Sequence, residues 1–223
     1  MSTRNRIEFD DKLRCNACVW SEEKKDLDWS ARTRELEVLI SSHRKSEGFD
    51  LIVPVSGGKD GSYVAHTCRE RFGLNPLCVT VHPPLRTEVG YKNLENFKNA
   101  GFSLIEVNPP VEAMRLLNKR GFIHYGRPLY GWTSGIFTSV LRIAIGFNID
   151  LIMYGEDGEI EYGGSTESKD KGTFTVEFVK RVYLESWKAD DMLRDIPKEM
   201  AYFWNFPSED SSNIKLAHWS YFE

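Results

Sequence analysis

Residues 55–62 read Val55-Ser56-Gly57-Gly58-Lys59-Asp60-Gly61-Ser62. The stretch follows the apolar run Leu51-Ile52-Val53 and precedes the helix-compatible residues Tyr63-Val64-Ala65-His66. A β-branched run that is ended by small residues and followed by helix-forming sequence is typical of a strand, a tight loop and a helix N-terminus. Because anions bind at such termini, the stretch is predicted to be an anion-binding loop.

The residue types in this loop suit a phosphate ligand. Its glycines let backbone N–H groups approach phosphate oxygens, and its serines add hydroxyl donors. Nucleotide binding is therefore expected from Val55, Ser56, Gly57, Gly58, Gly61 and Ser62. Gly61 or Ser62 is expected at the positive end of the helix dipole. An ordinary turn of glycine and serine is the alternative.

Asp60 is the exception in the loop because its carboxylate would repel a phosphate group. A divalent cation between the two charges removes that repulsion, which makes Asp60 a candidate Mg²⁺ ligand and nucleotide-binding residue. Lys59 directly precedes it. Both residues are candidate catalytic residues.

Composition limits the classes of protein that the chain can represent. With 223 residues, 41% of them hydrophobic, the chain can bury the core of one α/β domain. The net charge of −4 and the lack of a basic run argue against a nucleic-acid-binding surface. No apolar stretch has the length of a membrane span and the N-terminus lacks a signal peptide's apolar core, so we expect a cytoplasmic protein.

A second apolar run, residues 77–81, follows the helix that we predict from Ser62 to about Phe72. Two short strands joined by one helix form a βαβ unit with parallel strands. Since ligands lie at the carboxyl ends of such strands, Val81 and His82 are expected to contact adenine through their backbone. The alternation repeats at residues 104–107, so the predicted fold class is α/β with a doubly wound parallel sheet.

Small residues also precede a strongly apolar helix that we predict from Ile136 to Ile145. Thr133 and Ser134 lie where that helix is expected to begin, and they are candidate phosphate contacts. Residues that cap helices have the same composition, so capping is the alternative role for both hydroxyl groups.

An acidic loop follows a predicted strand at residues 151–154. Gly155 opens the loop, and four carboxylates come within six residues: Glu156, Asp157, Glu159 and Glu161. They would destabilise one another unless a cation or solvent relieved the repulsion. Glu156 and Asp157 lie nearest the strand end, where they could share Mg²⁺ with Asp60, and Asp157 is a further candidate catalytic residue. Gly155 is a candidate nucleotide contact, and a solvated acidic loop is the alternative.

The chain divides into a short cysteine-containing segment, residues 1–27, and one domain, residues 28–223. The segment contains Cys15 and Cys18 in a Cys-x-x-Cys pair, which is half of a structural zinc site. The other half is not visible in the sequence, so two ordinary thiols are the alternative.

Residues 55–62 resemble the pyrophosphate-binding loop of the ATP pyrophosphatases, Ser-Gly-Gly-x-Asp-Ser, with Gly61 inserted. More of the chain is similar to one branch, the N-acetyl sugar amidotransferases of surface-polysaccharide (lipopolysaccharide, O-antigen) and flagellar-glycan biosynthesis. That likeness involves residues 9–18, 55–62, 86–96 and 154–164. It implies the Rossmann-like adenine nucleotide alpha hydrolase fold, also called the PP-loop fold.

The resemblance also implies an activity. These enzymes use ATP and Mg²⁺ to transfer AMP to the acetamido oxygen of a nucleotide-linked N-acetyl sugar, releasing pyrophosphate, and ammonia then gives an acetamidino sugar. Because this chain shows no glutaminase motif, the expected partners are a separate glutaminase and a cyclase-like subunit, similar to the pair in histidine biosynthesis. A homodimer is also considered.

Two departures from the family pattern limit the resemblance. Members usually carry an earlier Cys-x-x-Cys pair, so Zn²⁺ is expected only if such a pair exists. Members also run beyond residue 223, and we expect a C-terminal substrate-binding or partner-binding part to be missing here.

Two other functions remain open from the sequence. A tRNA sulfurtransferase uses a similar loop, although the acidic balance argues against tRNA binding. The third hypothesis is a regulatory module that binds a nucleotide without cleaving it. The acidic loop argues against this hypothesis, because clustered carboxylates favour metal-assisted chemistry.

Overall fold

The computed structural model describes residues 5–207 and 211–223. Within these ranges six strands form one sheet: β1 (Leu51–Pro54), β2 (Pro76–Val81), β3 (Ser103–Val107), β4 (Leu151–Tyr154), β5 (Thr173–Phe174) and β6 (Lys215–His218). The sheet order is β3-β2-β1-β4-β6-β5, and all neighbours are parallel except β5 and β6. The predicted α/β class with a doubly wound, largely parallel sheet is therefore confirmed.

Helices cover both faces of the sheet. The longer ones are α1 (Asn16–Glu23), α2 (Trp29–His43), α3 (Lys59–Glu70), α4 (Glu88–Asn99), α5 (Val111–Tyr125) and α6 (Tyr130–Gly146). Shorter turns follow: α7 (Val176–Phe178), a π-helical turn (Val179–Tyr183), α8 (Ala189–Met192), α9 (Lys198–Ala201) and α10 (Trp219–Phe222). Among the described residues no helix combines the length and apolar character needed to cross a membrane.

Alternation along β1 explains why both faces need cover. Leu51 and Val53 pack with residues of α2, α3 and α4, whereas Ile52 packs with residues of α5 and α6. All three side chains are fully buried. Successive side chains of a strand point to opposite faces, so a run of apolar residues requires a layer on each side.

The strand order places a crevice beside β1. The chain moves from β1 to β2 and β3 on one side, and later returns to add β4 on the other side. Ile52 of β1 is aligned with Ile152 of β4, so the two strands end at the same edge of the sheet. A crevice forms where the winding direction reverses, and ligands bind there in open α/β sheets.

Two predicted helix starts are wrong, and glycines explain both errors. Helix α3 begins at Lys59 instead of Ser62, and α6 begins at Tyr130 instead of Ile136. A Cβ at Gly61 would lie 2.6 Å from the carbonyl oxygen of Pro54. A Cβ at Gly131 would lie 2.7 Å from Leu117 Cβ. These glycines therefore allow close packing inside helices and do not form turns.

Candidate functional site

The predicted anion-binding loop joins β1 to α3. Gly58 is the N-cap of α3, in an extended conformation and with no side-chain cap. The first-turn N–H groups therefore face outward without a side-chain acceptor, as in helix N-termini that bind phosphate. Ser56 is exposed. The Ser62 hydroxyl lies one turn into the helix and donates to the Gly58 carbonyl at 2.6 Å.

The start of α4 supports this loop. Gly57 has a φ of +79°, and a Cβ there would lie 2.5 Å from the Gly90 carbonyl oxygen. Asn93 Nδ2 donates to the Gly57 carbonyl at 2.7 Å. Thr87 caps α4 by accepting from the Gly90 N–H at 3.1 Å. Only glycine fits at residue 57, because the position needs both a left-handed backbone and close contact.

A cleft of about 890 Å³ opens where β1, β4 and β6 end. Gly155 brings the end of β4 against α3, because a Cβ at this residue would lie 2.7 Å from Asp60 Cβ. The charged residues that line the cleft are Lys24, Lys59, Asp60, Glu156, Glu161 and Glu223. Four carboxylates against two lysines leave the lining acidic, which favours binding of a cation.

Most of these charges are already paired. Lys59 Nζ lies 2.5 Å from Asp60 Oδ1, and the hydrogen bond to Asp60 raises the pKa of Lys59, as does the charge of Glu156. Glu156 accepts from the Tyr162 hydroxyl at 2.7 Å, and no ion pair of Glu156 occurs among the described residues. Asp60 and Glu156 both line this cleft, and their role as shared Mg²⁺ ligands stays a prediction.

Asp157 does not join them. Its buried carboxylate accepts from the Tyr183 hydroxyl at 2.6 Å and the Ser168 hydroxyl at 2.5 Å. Burial opposes ionisation, but nearby His218 and the Ser168 and Tyr183 hydrogen bonds keep the pKa of Asp157 below its usual value. This arrangement contradicts the expectation that Asp157 binds Mg²⁺ or acts in catalysis, because its side chain turns into the core and is satisfied there.

The other two carboxylates of the acidic loop are held by the N-terminal segment. Arg6 Nη2 lies 3.1 Å from Glu159 Oε2, and Lys24 Nζ lies 2.7 Å from Glu161 Oε2. Trp20 also donates its indole N–H to Glu161 at 3.1 Å. The repulsion between the carboxylates of the acidic loop is thus partly relieved by the protein's own side chains, in addition to any bound cation. No local pattern in the sequence connects residues so far apart.

Val81 and His82 lie at the end of β2, on the side of β1 away from the cleft. The Val81 carbonyl accepts from Trp132 Nε1 at 2.8 Å, and the His82 N–H donates to the Val107 carbonyl at 3.0 Å. His82 Nε2 lies 2.7 Å from Glu106 Oε2. These groups are paired within the protein, so an adenine contact would have to use other backbone atoms.

Thr133 and Ser134 are not at a helix N-terminus, contrary to prediction. They lie inside α6, where the Thr133 hydroxyl donates to the Leu129 carbonyl at 3.1 Å and the Ser134 hydroxyl to the Tyr130 carbonyl at 2.9 Å. Ser134 is fully buried. The early start of α6 explains why neither residue has the position expected for a phosphate contact.

Whether this chain can bind a metal ion depends on how its potential ligand side chains are grouped. In the described ranges no three His, Cys, Asp or Glu side chains are grouped to hold a metal ion. Cys15 and Cys18 lie together without further ligands, so a four-ligand Zn²⁺ site is unsupported. Mg²⁺ commonly uses one or two carboxylates together with substrate phosphates, and the pair Asp60 and Glu156 fits that pattern.

No family model matches the chain, and no curated protein matches it. Among solved structures, the chain is similar to an NH₃-dependent NAD synthetase from Campylobacter jejuni, with 13% identity and a TM-score of 0.42, over 60% of this chain and 58% of that one. It is also similar to a predicted subunit of tRNA methyltransferase from Methanocaldococcus jannaschii, with 19% identity and a TM-score of 0.38, over 59% and 64%. The matched part spans less than two thirds of either protein.

Proposed function

We propose that this protein cleaves ATP between the α and β phosphates and uses the AMP to activate an amide oxygen for replacement by ammonia. One observation carries the proposal. The uncapped N-terminus of α3 lies beside the end of β4 in the switch-point cleft, where Asp60 and Glu156 both line the wall. Backbone N–H groups that can donate to a phosphate and two carboxylates that can bind a cation thus lie in the same cleft.

The chain's own residues have distinct parts in this reaction. The loop and the first turn of α3 bind the departing pyrophosphate, while Lys59 adds a positive charge. Asp60 and Glu156 would hold Mg²⁺, which when bound neutralises part of the phosphate charge. The amide oxygen forms a bond to the α phosphorus, and the bond from that phosphorus to the bridging oxygen breaks.

Ammonia completes the exchange in a second step. Its nitrogen attacks the activated carbon, the carbon–oxygen bond breaks as AMP leaves, and one proton of the added nitrogen passes to solvent. The amide thereby becomes an amidine. Positioning and charge stabilisation are sufficient for both steps, so the chain needs no dedicated general base.

A separate glutaminase, working with a cyclase-like subunit, is the proposed source of ammonia. Support comes from the buried thiols of Cys68 and Cys78, because burial raises the pKa of each to about 12. A nucleophilic cysteine needs an accessible thiolate at neutral pH. Neither residue meets that requirement, and the accessible Cys15 and Cys18 lie outside the Gly-x-Cys-x-Gly context of a nucleophile elbow.

The proposed acceptor is a nucleotide-linked N-acetyl sugar. The cleft volume suits a ligand of that size. Accessible aromatic side chains suited to stacking on rings line it: Trp29, Tyr63 and Tyr162.

The test combines this chain with ATP, Mg²⁺, ammonium salt and a panel of nucleotide-linked N-acetyl sugars. Mass spectrometry should find one sugar lighter by about one mass unit, as NH replaces O, with AMP formed in equal amount. In a parallel reaction that contains tRNA and a sulfide donor in place of the sugars, AMP formation with sulfur transfer to tRNA would instead favour the sulfurtransferase function. ATP binding without cleavage under any of these conditions would favour a binding module.

A further inference from the structure

Two thiols at the start of α1 lie in contact with each other. Cys15 is the N-cap residue of this helix and Cys18 lies in its first turn, with their Sγ atoms 3.5 Å apart. A disulfide bond requires a sulfur–sulfur distance of about 2.05 Å, so bond formation must bring the two sulfurs closer together. The two thiols are therefore neighbours in contact, which is the first requirement for a disulfide bond.

Packing of α1 keeps the two thiols in place. Asn16, between the cysteines, donates through Nδ2 to the Gly164 carbonyl at 2.8 Å. Ala17 packs against Gly163, where an added Cβ would lie 3.4 Å from Ala17 Cβ. The segment that contains both sulfurs is thus held against the acidic loop.

The thiols are also accessible, in contrast to the other cysteines of the chain. Cys18 is exposed and Cys15 is partly exposed, whereas Cys68 and Cys78 are buried. The backbone N–H of Cys18, followed by its thiol, lowers the pKa of Cys15, while the pKa of Cys18 is raised chiefly by its hydrogen bond to Cys15. An accessible cysteine at a helix N-terminus beside a second thiol is the usual environment of a reactive cysteine.

We propose that Cys15 and Cys18 form a reversible dithiol–disulfide pair that exchanges with small-molecule disulfides such as oxidised glutathione. The Cys15 thiolate attacks one glutathione sulfur, forming a mixed disulfide and releasing one glutathione thiolate. Cys18 then loses its proton and attacks the Cys15 sulfur, which releases the second glutathione. The chain gives up two electrons and two protons, and the glutathione disulfide takes up both. This proposal is independent of the proposed function.

The experiment uses the whole chain under native conditions with oxidised glutathione, followed by alkylation and mass spectrometry. We expect a loss of about 2 Da, for two hydrogen atoms, together with a peptide that links Cys15 to Cys18. Dithiothreitol should restore both thiols. Cys68 and Cys78 serve as internal controls and should be alkylated only after denaturation.

Single variants separate this proposal from other thiol chemistry. The Cys18→Ser variant should retain glutathione on Cys15, because no second thiol can release it, and the Cys15→Ser variant should react more slowly. A wild-type chain that keeps glutathione on one cysteine, or that does not react, would overturn the proposal. Stoichiometric zinc that blocks both thiols until a chelator is added would overturn it as well, by assigning the pair to a metal site shared between chains.

Discussion

At the scale of single residues, Asp60 and Glu156 differ sharply from Asp157. The first two line the cleft, whereas Asp157 is buried and accepts hydrogen bonds from Ser168 and Tyr183. Glu156 and Asp157 looked equivalent in the sequence, because both lie just after a predicted strand. Their side-chain directions depend on where the chain turns after Glu156, which local sequence does not encode.

Substitution of the cleft carboxylates should affect chemistry and leave stability unchanged. We expect Asp60→Asn and Glu156→Gln each to reduce pyrophosphate release about 100-fold or more, because each removes a charge that balances Mg²⁺. Pyrophosphate release and thermal unfolding of the same preparations provide the measurement. Near-normal release by both variants would remove these residues from the mechanism.

Substitution of Asp157 should have the opposite effect. We expect Asp157→Ala to lower the free energy of unfolding by about 3 kcal/mol, because it removes the charged acceptor of the buried Tyr183 and Ser168 hydroxyls. Urea unfolding measures the change, with Asp11→Ala as an exposed-site control. A variant that unfolds like the wild type would show that this buried network does not stabilise the protein.

His218 should make stability depend on pH. Burial lowers its pKa from 6.5 to about 4, so the folded state holds the neutral ring while the unfolded state takes up a proton below pH 6.5. The contribution is fully present above pH 6.5 and is lost as the pH falls towards 4, at a slope of up to about 1.4 kcal/mol per pH unit. Urea unfolding at a series of pH values should show this slope in the wild type. In His218→Gln the slope over that interval should be smaller, and an equal slope in both proteins would rule out His218 as its source.

At the scale of elements, the sequence predicts the bounds of the strands well, but it misplaces the starts of two helices that contain closely packed glycines. The strands β1, β2 and β4 begin and end within one residue of their predicted bounds, since apolar runs of this length are characteristic of buried strands. The helices α3 and α6 begin earlier than predicted because Gly61 and Gly131 permit contact with neighbouring elements. Such contacts between distant residues cannot be recognised from a local pattern.

The contact between β4 and α3 can be tested with two glycines of the same loop. Gly155→Ala would place a Cβ 2.7 Å from Asp60 Cβ, whereas a Cβ at Gly158 would meet no atom within 4 Å. We expect Gly155→Ala to lower the free energy of unfolding by about 1–3 kcal/mol and to reduce ATP cleavage by displacing Asp60. Gly158→Ala is the matched control, and equal behaviour of the two variants would contradict the proposed geometry.

At the scale of the whole molecule, the strand order brings together residues that are far apart in the sequence. The β–α alternation predicts a parallel sheet, and its reversal beside β1 places Lys59 and Asp60 in one cleft with Gly155 and Glu156. The ion pairs of the N-terminal segment with Glu159 and Glu161 have no such regular pattern behind them. They depend on tertiary packing. For that reason the sequence does not show that basic residues of the N-terminal segment pair with the acidic loop.

The most direct test of the cleft as a site of ATP cleavage is the identity of the nucleotide products. ATP labelled at the α phosphate, and in a parallel reaction at the γ phosphate, is incubated with the protein, Mg²⁺, ammonium salt and the sugar panel, and the products are separated by chromatography. We predict AMP and pyrophosphate in equal amounts, dependent on both Mg²⁺ and an acceptor and absent with Asp60→Asn. Formation of ADP and phosphate, or tight ATP binding that needs no Mg²⁺ and yields no product, would contradict cleavage between the α and β phosphates.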